Sequence, residues 1–134
     1  MQWDSEGGFT EGKPWIAMNP STVTINVDAA LADLDSIFYT YKHLITLRKQ
    51  HKIIQHGSFN MLLEDHQNLF VYKRVYEEKV WLIISNFSEQ TFALTFEQLT
   101  IQAFNEIIIS NNAFRIEDNQ ITVFPYGSIV IDIH

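Results

Sequence analysis

The chain has 134 residues, a length that suits one domain or one domain with part of another. It carries 16 acidic and 9 basic side chains, a net charge of −7 without any basic block, which argues against nucleic acid or anionic membrane as a partner. Cysteine is absent, which excludes disulfides and thiolate metal sites. No apolar run of about 18 residues occurs, and the acidic start is unlike a signal peptide, so we expect a cytoplasmic protein.

Residues 1–34 are predicted to form a long loop. Turn signals at Gly7-Gly8, Gly12-Lys13-Pro14 and Asn19-Pro20-Ser21 follow one another closely, and residues 29–31 suit one short helical turn. Large apolar residues stand between these turns: Trp3, Phe9, Trp15, Ile16 and Met18. Flexible linkers lack such side chains, so the segment is expected to pack on a surface that lies outside this chain.

Residues 35–51 have the pattern of an amphipathic helix. Asp35 or Ser36 can cap its start, and basic residues gather near its end, where they suit the helix dipole. At 100° per residue, seven apolar residues fall on or beside one face: Leu34, Ile37, Phe38, Tyr41, Leu44, Ile45 and Leu47. This face is too wide for one sheet edge to cover.

Residues 57–134 are predicted to be all β. Alternation and turn signals predict strands at 58–63, 69–76, 79–86, 91–96, 105–110, 114–117, 121–124 and 129–133. Residues 80–84 contain no polar side chain, which indicates a central strand buried on both faces. The predicted fold class is therefore mainly β: a small antiparallel β-sandwich of seven or eight strands, preceded by a long loop and one amphipathic helix.

No constellation of residues predicts catalysis, a cofactor or a metal ion. Acidic pairs occur at 64–65, 77–78 and 117–118, but all three lie at predicted turns, and neighbours on a strand point to opposite faces. The five histidines show no ligand spacing, no serine stands in a G-x-S-x-G frame, and no glycine-rich phosphate loop exists. Asn86-Phe87-Ser88 matches the glycosylation sequon, although its place after a strand favours a turn.

The aromatic residues leave two interpretations open. Trp3, Trp15, Phe70 and Trp81 are of the type that stacks on sugar rings, which supports a glycan-binding sandwich. Trp81 lies inside the most apolar strand, where burial in the core is the expected role. An exposed, nearly coplanar pair of rings on one sheet face would favour glycan binding.

The sequence resembles a known family over nearly its whole length. The motifs are MQWD at 1–4, GGFT at 7–10, GKPWI at 12–16, NP at 19–20, INV at 25–27 and SIFYTYKHLITLRK at 36–49. LLEDHQNLFVYKR at 62–74, VWLIISNFS at 80–88 and PYGSIVI at 125–131 continue the likeness, with Gly127 where an acidic residue is more usual. On these motifs the chain resembles the C-terminal part of α-glucosidases of the α-amylase superfamily, glycoside hydrolase family 13, and within it the oligo-1,6-glucosidase, dextran glucosidase and trehalose-6-phosphate hydrolase branch.

The resemblance implies an organisation in three parts. Residues 1–34 correspond to a loop of a catalytic (β/α)8 barrel that is otherwise missing here, residues 35–52 to the last barrel helix, and residues 57–134 to the C-terminal β-sandwich. The three catalytic acids of the family lie upstream of the stretch that MQWD resembles, so none of them maps onto this sequence. The resemblance therefore implies no catalytic, cofactor-binding or metal residue in this chain.

Two functions follow as hypotheses. The first is a non-catalytic structural domain of an oligosaccharide α-glucosidase, whose partner is the catalytic barrel and which meets α-glucosidic oligosaccharides only through the parent enzyme. The second is a carbohydrate-binding sandwich that uses surface aromatic residues. Without a barrel, the wide apolar face requires a cover, either residues 1–34 folded back or a homodimer formed through residues 34–47. We favour the homodimer.

Overall fold

The computed structural model describes residues 2–111 and 113–133. Met1 of the MQWD motif, Asn112 beside the predicted turn and His134 lie outside the described residues. The chain divides after Gln50 into two compact units, which we describe in turn. No helix in the described ranges has the length and apolar character needed to cross a membrane.

The first unit contains one short helix and one long one. A 3-10 turn (Pro20–Val23) leads into α1 (Val27–Ala32), and α2 (Ile37–Gln50) follows, two residues shorter at its start than predicted and one at its end. The Asn26 side chain caps α1 by accepting from Ala29 N at 2.8 Å. Thus the predicted helical turn at 29–31 extends to a capped helix of six residues.

The second unit is a β-sandwich with one short helix at its start. After α3 (Lys52–His56) the strands are β1 (Asn60–Leu62), β2 (Leu69–Tyr76), β3 (Lys79–Asn86), β4 (Phe92–Thr95), β5 (Glu106–Ser110), β6 (Phe114–Glu117), β7 (Gln120–Val123) and β8 (Ser128–Asp132). A five-stranded sheet has the order β1-β2-β3-β8-β5, and a three-stranded sheet the order β4-β7-β6. All the pairings are antiparallel, so the predicted fold class, a mainly β antiparallel sandwich, is confirmed.

The core of the sandwich lies between its two sheets. Strands β2, β3 and β8 direct alternate residues inward, where they meet β4 and β7. The most deeply buried members are Val71, Leu82, Ile84, Ile121, Val123, Ile129 and Ile131, together with Leu99 from the loop after β4. The prediction that residues 80–84 form a central buried strand is correct, because β3 lies third of five and Ile84 has no exposed surface.

Most strand limits agree with the predicted ones within two residues. The turn at Asp118 and Asn119 takes positive φ angles of 50° and 57°, as the tight hairpin predicted there requires. Helix α3 was not predicted, because five residues are too few for a helical period to emerge.

Candidate functional site

The first unit carries an open apolar groove of about 800 Å³. It lies beside α1 and the face of α2 that the sequence predicted to be apolar. The walls are formed by Gln2, Ile25, Asn26, Val27, Ala30, Ile37, Phe38, Tyr41, Lys42, Ile45, Thr46 and Lys49. Ile37 is 78% exposed, and Tyr41 and Ile45 are more than half exposed. Such a continuous exposed apolar surface is typical of an interaction site rather than of the solvent-exposed surface of an isolated domain.

Hydrogen bonds hold the walls of this groove in place. Backbone N–H groups of Val27 and Asp28 donate to the carbonyls of Gln2 and Trp3 at 3.1 and 3.0 Å, which ties the N-terminal segment to α1. Ser36 Oγ donates to Ala30 O at 2.7 Å, and Tyr39 Oη donates to Leu31 O at 3.2 Å. The groove is thus a defined feature, since both helices are bound to each other through their polar atoms.

The large side chains of the N-terminal loop do not cover α2. Trp15 is 96% and Ile16 70% exposed, and Trp3 and Phe9 keep about half of their surface in solvent. The exposure of these side chains argues against the alternative in which residues 1–34 fold back over the helix with them. The apolar face of α2 therefore remains available to another molecule or another part of a larger protein.

A second exposed apolar cluster lies on the sandwich. Phe70 and Tyr72 alternate along β2 with the buried residues Leu69 and Val71, so they point to the outer face of the five-stranded sheet. The ring of Phe59 lies 4.9 Å from that of Tyr72 and 6.2 Å from that of Phe70, with interplanar angles of 35° and 31°. Phe59 is 54% and Phe70 38% exposed. We call Phe59, Phe70 and Tyr72 the aromatic cluster.

Of the four aromatic residues predicted to stack on sugars, Phe70 alone belongs to this cluster. Trp81 is 3% exposed and donates from Nε1 to Asp132 Oδ2 at 3.3 Å, so its expected place in the core is correct. Phe59 and Tyr72 were missed. The sequence did contain a signal for Tyr72, since the run from Leu69 to Tyr72 is apolar at every position. A strand with one solvent-exposed face alternates apolar and polar residues, so an unbroken apolar run indicates apolar side chains on both faces of the sheet.

Helix α3 is clamped to the outer face of the same sheet. Ile53 is 1% exposed and packs with Trp81 and Ile83, and Tyr72 adjoins this group. Arg74 donates from Nε to Ile53 O at 2.9 Å and from Nη2 to Gly57 O at 2.7 Å. Charge-assisted bonds of this kind are stronger than neutral ones, so they fix the short helix on β2.

The acidic pairs lie on the surface, and two of them border open depressions: Glu77-Glu78 one of about 520 Å³, and Glu117-Asp118 one of about 320 Å³. Each of the six carboxylates is exposed, and the pairs at 64–65, 77–78 and 117–118 occupy turns or the strand end beside one. Glu117 forms an ion pair with Arg115 at 3.3 Å, with both side chains about 60% exposed. Among the described residues no three His, Asp or Glu side chains converge as metal ligands.

Three of the four described histidines have structural contacts instead. His66 Nδ1 accepts from the backbone N–H groups of Asn68 and Leu69 at 3.2 and 3.0 Å, which stabilises the turn before β2. The His51 ring lies 5.0 Å from that of Trp81, and the His56 ring 6.1 Å from that of Tyr76. These contacts explain the three residues without a ligand.

Two further polar side chains, those of Asn86 and Lys73, form hydrogen bonds within the sandwich. Asn86 of the sequon is buried and donates to Gln90 O and Phe124 O at 2.6 and 2.9 Å, so it serves the turn after β3. Lys73 donates to Thr100 O and Oγ1 at 2.9 and 2.6 Å, and partial burial lowers the pKa of its amino group below 10.5.

Comparison with known proteins divides the chain at nearly the same place as its packing does. Residues 1–57 match the catalytic domain of α-amylases, and residues 59–130 match the C-terminal domain of maltogenic amylases. The first match therefore extends through α3, which packs in the second unit.

Individual relatives agree with this assignment. The oligo-1,6-glucosidase of Halalkalibacterium halodurans is 51% identical over 89 residues, which cover 65% of this chain and 16% of that protein. The oligo-1,6-glucosidase of Bacillus cereus is 37% identical over 99% of this chain and 24% of that protein. A solved structure, the trehalose-6-phosphate hydrolase of Bacillus licheniformis, has a TM-score of 0.83 at 37% identity, over 98% of this chain and 24% of that one.

The chain thus spans a quarter or less of the length of these relatives. More than half of it matches the maltogenic amylase C-terminal domain, and its fold and sequence agree with the same enzymes throughout. The chain belongs to glycoside hydrolase family 13, the α-amylase superfamily, and corresponds to the C-terminal region of its oligosaccharide-cleaving α-glucosidases.

Proposed function

We propose that this chain is a non-catalytic structural domain of a cytoplasmic oligosaccharide α-glucosidase and covers part of a catalytic barrel. The supporting observation is the apolar groove of the first unit, because it lies within the stretch that matches an α-amylase catalytic domain. An apolar surface of this size is expected to be buried in the working protein. In this proposal α-glucosidic oligosaccharides meet the chain only through the parent enzyme.

The proposal assigns a part of the enzyme to each segment. Residues 1–34 would be a loop of the barrel, residues 35–52 its last helix, and residues 57–134 the sandwich that follows it. The groove face of α2 would then lie against barrel strands and neighbouring helices, which explains why Ile37, Tyr41 and Ile45 are apolar and yet exposed here. None of the three segments would supply a catalytic, cofactor-binding or metal-binding residue.

Hydrolysis assays test the non-catalytic role. The purified chain should not cleave p-nitrophenyl α-glucoside, isomaltose or trehalose 6-phosphate above a buffer blank. Family 13 chemistry needs paired carboxyl groups that face one cleft, whereas the described acidic pairs here are exposed at turns. Turnover that survives repurification and is lost when one carboxylate is changed to its amide would contradict the proposal.

In isolation we expect two copies of the chain to pair through residues 34–47. The reason is the same exposed face of α2, which a two-fold dimer would bury. Sedimentation velocity at micromolar concentration should show a dimer that Ile37→Glu dissociates. His43→Glu, outside the groove on the same helix, is the matched control and should leave the dimer intact. A monomeric wild-type chain would contradict the pairing.

Glycan binding by the sandwich is the second candidate function. The observation in its favour is the exposed pair Phe59 and Phe70, with rings 31° apart on one sheet face. Phe70 and Trp81 were both predicted for this role. Phe70 is exposed, whereas Trp81 is buried and cannot contact a glycan. Titration of the chain with maltoheptaose or isomaltotriose tests this function directly, with binding monitored by tryptophan fluorescence and by NMR chemical shifts.

A further inference from the structure

The turn between β1 and β2, residues 63–68, is organised around one histidine ring. His66 Nδ1 accepts from the backbone N–H groups of Asn68 and Leu69 at 3.2 and 3.0 Å. A ring nitrogen can accept a hydrogen bond only while it carries no proton, and in the protonated ring both nitrogens are donors. The turn therefore requires the neutral ring with its proton on Nε2.

His66 also closes the turn on its other side. Its backbone N–H donates to Leu63 O at 2.9 Å, and Leu63 has a φ of 51°, in the left-handed region that a bulky side chain rarely adopts. Such a conformation persists only where the surrounding contacts fix it. His66 thus takes part in three hydrogen bonds of this turn, and two of them depend on the protonation state of its ring.

The ring also connects the turn to the core of the sandwich. It lies 4.9 Å from the ring of Phe92 on β4, at an interplanar angle of 84°. Phe92 and two residues before the turn, Leu62 and Leu63, pack against the buried core. Strand β1 has only three residues and lies at the edge of the five-stranded sheet, next to β2. If the turn opens, this short edge strand loses the connection that holds it in register.

No ion pair among the described residues stabilises a charged His66 ring. The turn itself carries two exposed carboxylates, Glu64 and Asp65, and the turn after β3, which is hydrogen-bonded to this one, carries Glu89. Strands β1 and β4 contain no titratable side chain, and the titratable residues of β2 begin at Tyr72. A proton on Nδ1 would thus remove two hydrogen bonds without gaining an ion pair within the described part of the chain.

We propose that His66 is an acid-sensitive latch on the β1–β2 turn. At neutral and higher pH the ring is uncharged, both N–H groups are bound, and the turn is closed. As the pH falls through the mildly acidic range in which histidine side chains gain a proton, Nδ1 becomes a donor that points at two other donors, and the turn opens together with β1. The stabilisation is lost on the acid side and restored when the pH rises. The latch belongs to the sandwich and does not depend on the role proposed for the chain.

Amide hydrogen exchange of the full chain tests this latch. From about pH 7.5 to about pH 5.0, the range in which imidazole titrates, the protection of the Asn68 and Leu69 amides should fall at least about fivefold after correction for intrinsic exchange. The β1 amides should lose protection with them. The Ile84 amide should keep its protection, because it belongs to the buried central strand and reports the global fold. Unchanged protection at Asn68 and Leu69 would overturn the proposal.

Two variants show whether the ring is responsible. His66→Asn supplies a side-chain oxygen that accepts at every pH, as asparagine does in other turns, so its protection should be the same at both pH values. His43→Asn changes an exposed histidine on α2, so this matched control should retain the wild-type loss. If protection in His66→Asn falls with pH as much as in the wild type, the ring is not the latch.

Nitrogen-15 NMR provides a test that needs no variant. At neutral pH the chemical shifts of the His66 ring should identify Nδ1 as the unprotonated nitrogen, whereas a ring that carries its proton on Nδ1 would contradict the proposal. If His66→Asn fails to fold, this measurement and the exchange of the wild-type amides still decide the question.

Discussion

The two units of this chain use the same kind of side chain in opposite ways. In the sandwich, Ile84 and its neighbours are enclosed because two sheets face each other, whereas in the first unit Ile37 and most of the apolar stripe on α2 are exposed. A stable domain needs at least two packed layers around one core. The sandwich supplies both of its layers, whereas the first unit leaves the apolar face of α2 exposed. Apolar content alone therefore does not distinguish a core from an interface.

The largest expected effect compares one isoleucine from each unit. Ile84→Ala should lower the free energy of unfolding by roughly 2–5 kcal/mol, because burial is lost and a cavity remains in a fully enclosed site. At a concentration low enough for the chain to be monomeric, Ile37→Ala should change it by less than about 0.5 kcal/mol, since the side chain of the single chain is already in solvent. Urea unfolding followed by circular dichroism measures both. An equal loss of unfolding free energy at the two positions would contradict the distinction between an enclosed core in the sandwich and an exposed apolar face in the first unit.

The next comparison uses two glycines. Gly57→Ala should cost roughly 1–3 kcal/mol, because the added methyl group clashes with the Ile53 carbonyl in a site that cannot widen. Its φ of −62° suits alanine, so the cost is steric rather than conformational. Gly12→Ala is the control, since the nearest atom to its added carbon is Thr10 Oγ1 at 3.9 Å. Thermal unfolding should separate the two variants, and a Gly57→Ala protein as stable as the wild type would show that α3 is loosely held.

The smallest effect concerns two arginines. Arg74→Met should cost about 0.5–1.5 kcal/mol, because it removes both hydrogen bonds that hold α3 to the sheet. Arg115→Met removes an exposed ion pair with Glu117 and should cost close to nothing. Hydrogen exchange of the amides at 53–57 provides a local readout, and protection there should fall for Arg74→Met alone. Unchanged protection would mean that the Ile53 side chain is the main attachment.

Several features of the fold followed directly from local pattern. Strands β2, β3 and β6 begin and end at the predicted residues, because apolar alternation and turn residues act between near neighbours in the chain. The apolar stripe of α2 and the Asp118–Asn119 hairpin were correct for the same reason. The prediction that the chain supplies no catalytic, cofactor or metal residue stays a prediction.

The sequence alone therefore determined the class of fold, the identity of the central strand and the presence of a wide apolar helix face, since each depends on the spacing of residues a few positions apart. Only the tertiary structure decided that β8 joins β3 in register Ile84 with Ile129, that Arg74 clamps α3, and that Phe59 joins Phe70 and Tyr72 in one cluster. These contacts join residues 11 to 45 positions apart along the chain. Sequence periodicity carries no information on such pairings, because they are selected by how the whole set of apolar faces can be buried together.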